Sequence, residues 1–92
     1  MQTEWDAAKA EENRRKHGVD FADAVAALSD PFALSREDLQ AEGEQRFVAL
    51  GMDRLGRILV VAYTYRGARI RLISARPATR KERGEYERRR AR

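Results

Sequence analysis

The chain has 92 residues, 42% of them hydrophobic and 37% charged, which is enough for one small domain with a thin core. It has no cysteine, which excludes a disulfide framework, a thiolate metal site and a cysteine nucleophile, and its single histidine has no imidazole partner, which disfavours a histidine-based zinc site. No apolar run is long enough to cross a membrane, and no signal-peptide core follows Met1. We therefore expect a single domain over residues 1–92, in the cytoplasm, with no cofactor, no metal and no membrane contact.

Charge is distributed unevenly along the chain. Residues 1–65 carry 8 Lys/Arg and 12 Asp/Glu, whereas residues 66–92 carry 11 Lys/Arg and 3 Asp/Glu, so the net charges are −4 and +8. Sixteen of the 19 basic residues are arginines. Because the guanidinium fork grips phosphate oxygens and stacks on bases, this bias favours a nucleic-acid partner. The alternative is an arginine-rich surface that is simply solvated.

Two helices are predicted near the N-terminus. The first runs from Trp5 to His17, with Thr3 as its N-cap, Trp5 as a core anchor and Gly18 as a left-handed stop. The second covers Phe21 to Leu28 and ends before Asp30-Pro31, because the residue before a proline avoids the helical region.

The hydrophobic period then changes to two, which indicates strands. Four segments carry this pattern: Phe32 to Arg36, Arg46 to Met52, Arg57 to Tyr65 and Ala68 to Arg76. The third is apolar on both faces, which is typical of a central strand. Short turns between the segments favour an antiparallel sheet of three to four strands.

The last strand leads into a C-terminal helix. Strict alternation places Ile70, Leu72 and Ser74 on one face and Arg69, Arg71 and Ile73 on the other. Pro77 ends this strand. A capping box at Thr79 to Glu82 then starts a helix that continues to the C-terminus, with Arg88 to Arg90 and Arg92 as its solvated end. The predicted fold class is α+β, with two N-terminal helices, the antiparallel sheet and one C-terminal helix.

The junction between this strand and helix is the candidate site. We expect Arg71, Arg76 and Arg80 to converge there on one pocket, beside the partial positive charge of the helix N-terminus. Such a pocket suits a phosphodiester and stabilises the extra charge of a pentacoordinate transition state without a metal. The alternatives are that Arg71 pairs with a cross-strand carboxylate and that Glu82 only caps the helix. Likewise, Tyr86 fits a core position and His17 a structural role at a helix C-terminus.

Three segments resemble the BrnT family of bacterial type II toxins. They are Trp5-Asp6-x-x-Lys9-Ala10-x-x-Asn13-x-x-Lys16-His17-Gly18-Val19-x-Phe21-x-x-Ala24, then Asp30-Pro31, then Gly56-Arg57-x-Leu59-Val60-Val61-x-Tyr63-Thr64 continuing through Arg69-Ile70-Arg71-Leu72-Ile73-Ser74-Ala75-Arg76-x-Ala78-Thr79-x-x-Glu82-Arg83-x-x-Tyr86. The resemblance implies a RelE-like toxin fold and a ribonuclease activity that halts translation. It also implies a BrnA-type ribbon-helix-helix antitoxin, which binds operator DNA and represses the operon together with the toxin, in a hetero-oligomer of two toxins and two antitoxins.

The family's pattern implies phosphate handling by Arg57, Arg71, Arg76 and Arg80, with Glu82, Tyr86 and His17 nearby, and from this we name the following candidates. The catalytic candidates are Arg71, Arg76, Arg80, Glu82, Tyr86 and His17, and the RNA-binding candidates are Arg57, Arg69, Lys81 and Arg83. Arg71 and Arg76 are expected to stabilise charge, with Glu82 or His17 as the proton carrier, since arginine keeps its proton far above neutral pH. Two other hypotheses are a non-catalytic module that binds nucleic acid or antitoxin, and an inactive homologue retained as a co-repressor.

Overall fold

The computed structural model describes residues 1–91, which form three helices and one five-stranded sheet. The elements in chain order are β1 (Thr3–Glu4), α1 (Ala7–His17), α2 (Phe21–Leu28), β2 (Leu34–Asp38), β3 (Arg46–Met52), β4 (Ile58–Arg66), β5 (Arg69–Pro77) and α3 (Arg80–Arg90). The sheet order is β1-β5-β4-β3-β2, in which β1 is parallel to β5 and the other pairs are antiparallel. The α+β class is confirmed, but the predicted three to four antiparallel strands become five in a mixed sheet.

The N-terminal residues account for the missed strand. Thr3 lies in β1, opposite Ile70, and does not cap α1. The cap is Asp6, whose carboxylate accepts the backbone N–H groups of Ala8 and Lys9 at 2.8 and 3.2 Å. A two-residue strand has no hydrophobic period, so the alternation of side chains gave no signal for it. The predicted end of α1 is confirmed, because Gly18 has φ +68°.

Alternating residues of β4 face two different layers. Helices α1 and α2 pack on the first face, which we call the α1–α2 face, and α3 packs on the second, the α3 face. The buried residues between the sheet and α1–α2 are Val19, Phe21, Ala24, Ala27, Ala49, Leu59, Val61, Tyr63, Leu72 and Ala75. Those beneath α3 are Leu50, Ile58, Val60, Ala78 and Tyr86. The prediction that β4 is central is confirmed, whereas Trp5 is 38% exposed and meets Phe21 edge-on at the rim of the core.

Strand β5 contains a bulge that changes the predicted alternation. Leu72 pairs with Tyr63 and Ser74 pairs with Ala62, which leaves Ile73 as an extra residue. Ser74 therefore does not share a face with Leu72 as predicted, but lies on the α3 face with Ala62. The same shift places Arg76 on the α3 face, opposite Val60.

Helix α1 is tied to β5 by one buried side chain. The Asn13 amide nitrogen donates to the Ala75 carbonyl at 2.8 Å and to the Val19 carbonyl at 3.0 Å. Its amide oxygen accepts the Ala75 N–H at 3.0 Å. Asn13 thus satisfies backbone groups of β5 that a neighbouring strand would otherwise pair.

The C-terminal elements follow the prediction closely. Strand β5 ends at Pro77, and both bonds of the capping box between Thr79 and Glu82 are present. Arg92, which was included in the predicted helix end, lies outside the described residues. Within residues 1–91 no helix has the length and apolar character needed to cross a membrane.

Candidate nucleic-acid interface

A concave surface lies on the α3 face of the sheet. Helix α3 covers only the end of this face near Ile58, so a cleft of about 500 Å³ opens beside its first turns. The floor of the cleft is apolar and consists of Leu34, Val48, Leu50 and Val60. Its rim is polar and consists of Ser35, Arg36, Thr79, Lys81, Glu82 and Glu85.

A shallow row of small side chains continues from this cleft across the sheet. Val48, Ala62 and Ser74 are paired in register on β3, β4 and β5, and we call them the central trough. Arg76 lies in the row on one side of the trough, and Arg71 lies in the row on the other side. Because paired residues project to the same face, both arginines flank the trough.

Arg76 is held by Glu82. Its two terminal nitrogens contact the two Glu82 carboxylate oxygens at 2.9 and 3.0 Å, in a bidentate pair that remains partly open to solvent. The hydrogen bond from Arg76 lowers the pKa of Glu82 to about 2, against the opposing effect of burial, and the Thr79 N–H adds to this. A carboxylate with so low a pKa is a weak base at neutral pH, which speaks against Glu82 as a proton acceptor in this state.

Arg71 is held by a different carboxylate. It donates to Glu4 of β1 at 2.7 Å, and Arg69 contacts the other oxygen of Glu4 at 3.3 Å. This is the cross-strand pairing that the sequence left open for Arg71. The sequence did not predict strand β1, and so Glu4 was not recognised as the partner of Arg71.

The expected convergence of three arginines on one pocket is not what the structure has. The β4 partners of Arg71 and Arg76 are Thr64 and Val60, so the two arginines are four ladder steps apart, or roughly 13 Å. The Arg80 side chain is exposed and makes no hydrogen bond or ion pair with any of residues 1–91. The arginines do not converge because Arg71 is held by Glu4 and Arg76 by Glu82, on opposite sides of the central trough.

The other predicted RNA-binding residues are dispersed. Lys81 lines the cleft. Arg57 contacts Asp53 at 2.8 Å and Asp23 at 3.3 Å and also donates to the Gly18 carbonyl, so it ties the β3–β4 turn to the α1–α2 junction. Arg83 donates to the Ala78 carbonyl at 3.1 Å.

Tyr86 is a buried core residue rather than part of the open surface. Its hydroxyl donates to Asp30 at 2.5 Å. Burial, with a further contribution from Asp30, raises the pKa of Tyr86 to about 12. Both its location and this pKa make Tyr86 unsuited to proton transfer at neutral pH.

His17 lies in a second groove, of about 180 Å³, between α1 and β5. The groove is lined by Lys9, Glu12, Asn13, Lys16, His17, Ile73 and Ser74. Ser74 is also the last residue of the central trough. Since Val48, at the other end, lines the first cleft, the trough links the two grooves over two strand spacings, or roughly 10 Å.

Sequence reasoning missed the contributions of β2 and β3 to this surface. Arg36 of β2 lines the cleft. Arg46 of β3 pairs with Asp38 of β2, and these two residues lie in the same row across the sheet as Thr64 and Arg71. The Arg46 Nε is buried without a hydrogen-bond partner among residues 1–91. The sequence signal for this contribution was the alternation of Leu34, Arg36 and Asp38, which places all three side chains on one face of a strand next to β3. Among the described residues no group of three or more His, Cys, Asp or Glu side chains is arranged to hold a metal ion.

Comparison with known proteins identifies the family. The sequence model described as "Ribonuclease toxin, BrnT, of type II toxin-antitoxin system" matches residues 5–82. The chain belongs to the BrnT family. Its fold is also similar to the 1.1 Å crystal structure of the Brucella abortus ribonuclease toxin BrnT, with 27% identity and a TM-score of 0.64, covering 87% of this chain and 100% of that one. A comparison with curated proteins finds no match. Membership in a type II toxin family implies a protein antitoxin as partner.

Proposed function

We propose that this BrnT-family chain is an endoribonuclease toxin that binds RNA across the α3 face of its sheet and inhibits translation. The observation that carries the proposal is the central trough, flanked by Arg71 and Arg76, in a chain whose family is that of ribonuclease toxins. Arg36 and Lys81 add positive charge at the cleft end. The apolar floor at Val48 offers a surface for bases, while the cations meet the phosphates.

The chemistry proposed is metal-independent transesterification. The ribose 2′-oxygen loses its proton and attacks phosphorus, the bond to the 5′-oxygen breaks, and that oxygen takes up a proton. The products are a 2′,3′-cyclic phosphate and a 5′-hydroxyl end. Arg71 and Arg76 would leave Glu4 and Glu82, extend into the trough from its two sides and stabilise the additional negative charge of the phosphorane there, while Arg80 and Lys81 would add positive charge from the start of α3.

We assign proton transfer to His17. Imidazole is suited to this task near neutral pH, and the His17 groove adjoins the trough at Ser74. The pKa values of Glu82 and Tyr86, about 2 and about 12, favour this assignment over the other two candidates. A His17→Gln variant should bind RNA with unchanged affinity and cleave it at least about a hundredfold more slowly.

The decisive experiment incubates purified protein with RNA in EDTA, with and without ribosomes, and analyses the new ends. We expect 2′,3′-cyclic phosphate ends and a loss of cleavage in Arg71→Ala and Arg76→Ala. Arg14→Ala is the matched control, because Arg14 lies on α1 and pairs with Glu11. RNA that stays intact at micromolar protein, with ribosomes present as well as absent, would contradict the proposal.

We also propose the regulatory partner. A BrnA-type ribbon-helix-helix antitoxin would neutralise the toxin in a complex of two toxins and two antitoxins, and operator DNA would be contacted only through the antitoxin. Co-expression followed by light scattering gives the stoichiometry. Gel shifts with operator DNA should require the antitoxin and strengthen when the toxin is added.

A specific observation favours an alternative function. Arg71 and Arg76 are each already paired with a carboxylate, an arrangement that also suits a non-catalytic module that binds nucleic acid or antitoxin and acts only as a co-repressor. In that case RNA binding would persist without cleavage. Growth arrest on induction without antitoxin separates an active toxin from this module and from an inactive homologue.

A further inference from the structure

We propose that Glu82 is an internal phosphate mimic, which occupies Arg76 in the free protein and must be displaced when an RNA phosphate binds there. The inference rests on the proposed function, since it concerns the same RNA-binding surface. It assigns Glu82 a role in setting RNA affinity, in place of the proton-transfer role considered from the sequence.

The first argument is the geometry of the pair. Two guanidinium nitrogens of Arg76 meet two oxygens of Glu82 at 2.9 and 3.0 Å, which is the fork arrangement that arginine also uses for phosphate. The side chains are 39% and 27% exposed, so an incoming anion has access to the guanidinium. Glu82 also lines the cleft that leads into the central trough.

The second argument is that Glu82 holds a further donor. Its Oε1 accepts the Thr79 backbone N–H at 2.8 Å, at the first turn of α3. One carboxylate therefore occupies both a guanidinium and a backbone donor near the positive end of a helix. This combination of donors also binds the phosphate groups of nucleic acids.

The third argument is that displacement requires little rearrangement. The other half of the capping box, in which Thr79 Oγ1 accepts the Glu82 N–H at 3.2 Å, does not use the carboxylate. Helix α3 keeps this bond, and the buried Tyr86 still anchors it to Asp30, when the Glu82 side chain swings into solvent. The exchange replaces one anion on Arg76 by another, so the free protein binds RNA more weakly than the same surface would without Glu82.

The test compares two variants with the same change in net charge. Glu82→Gln retains an oxygen that can cap Thr79 but removes the competing charge. Glu87→Gln is the control, because Glu87 is exposed on the same helix and does not line the cleft. Affinity is measured by fluorescence anisotropy with a single-stranded RNA whose 2′-hydroxyls are methylated, so that cleavage does not interfere.

We expect Glu82→Gln to lower Kd by about fivefold and Glu87→Gln by less than about twofold, since a partly exposed ion pair is worth up to about a factor of five. The gain should vanish in an Arg76→Ala background. Equal affinities of the two Gln variants, with wild-type protein still binding and cleaving RNA, would overturn this inference and leave the proposed function intact. RNA binding by none of the proteins would overturn both.

A measurement on the wild-type protein avoids any dependence on the folding of a variant. Saturating the protein with the same oligonucleotide should shift the Glu82 side-chain carboxyl ¹³C resonance and raise its pKa from about 2 towards the usual value for glutamate, as Arg76 is taken over by phosphate. A Glu82 signal that does not respond to saturating RNA would contradict the displacement.

Discussion

Asp30 joins three segments of the chain through its two carboxylate oxygens. One accepts the Phe32 N–H at 2.9 Å, and the other accepts the Met52 N–H at 2.8 Å and the Tyr86 hydroxyl. Burial alone would raise the pKa of Asp30, but these hydrogen bonds outweigh burial and hold it below its usual range. Asp30 therefore fixes the position of α3 over the sheet, and with it one wall of the cleft.

Removing the Tyr86 hydroxyl tests this link. Tyr86→Phe keeps the buried ring and leaves Asp30 with one partner fewer, so the free energy of unfolding should fall by about 1–2 kcal/mol in urea titrations. Tyr65→Phe is the control, because Tyr65 is 52% exposed and removal of its hydroxyl should change the free energy of unfolding by less than about 0.5 kcal/mol. Equal effects of the two variants would show that the Tyr86–Asp30 bond contributes nothing to stability.

The Arg76–Glu82 pair makes stability depend on pH. The folded-state pKa of Glu82, about 2, lies below the usual glutamate value of 4.5, so the pair stabilises the fold fully above about pH 5. This contribution is lost as the pH falls through about 2. Relative to Glu82→Gln, the wild type should be more stable by about 1 kcal/mol at pH 7, because partial exposure of the pair limits its contribution. The difference should disappear near pH 2, and a constant difference across this range would contradict the assigned pairing.

At the scale of elements, the contact between α2 and β3 depends on the absence of a side chain at Gly51. A Cβ at Gly51 would collide with the Ala27 carbonyl oxygen of α2. A backbone carbonyl cannot move aside as a flexible side chain can, so helix and strand would have to separate. Gly51 thus sets how closely α2 lies against the sheet.

Two glycine-to-alanine substitutions should therefore have opposite effects. Gly51→Ala should destabilise the protein by about 2–3 kcal/mol through this overlap. Gly84→Ala, inside α3, would meet only the flexible Arg88 side chain at 3.4 Å and should stabilise by about 0.5–1 kcal/mol through helix propensity. Thermal unfolding of both variants checks the prediction, and a Gly51→Ala protein as stable as the wild type would contradict it.

Over the whole molecule, charge separation is the property most relevant to RNA. The positive excess of residues 66–92 includes Arg71 and Arg76, which flank the trough, and Lys81 in the cleft, while Arg36 adds a cation from the acidic part of the chain. If RNA binds through these cations as proposed, binding releases counterions from the RNA, and the affinity should fall as the salt concentration rises.

Salt titrations of RNA binding test whether the α3 face is the interface. Arg36→Gln should weaken binding and reduce the slope of log K against log salt by about one, because one phosphate contact is lost. Arg14→Gln, on the opposite side of the sheet, should leave the slope unchanged. A reduced slope in Arg14→Gln together with an unchanged slope in Arg36→Gln would place RNA on the α1–α2 face instead.

The sequence predicted most elements because their signals are local. The two-sided apolar pattern of β4, the stop at Gly18 and the capping box at Thr79 each arise from a few neighbouring residues. Strand β1 and the bulge at Ile73 were missed. Both depend on which backbone lies alongside β5, and a periodicity argument contains no information about that neighbour.

The sequence predicted which residue types form the candidate site, but it did not predict how these residues are arranged. The sequence by itself determined that arginines would accumulate around β5 and α3, since residue type and strand or helix periodicity are properties of the chain alone. Only the tertiary structure decided their partners: Glu4 reaches Arg71 through a parallel pairing, and Arg36 arrives from the far edge of the sheet. Ion pairs and clefts depend on distances between segments remote in sequence, and packing of the sheet and helices sets those distances.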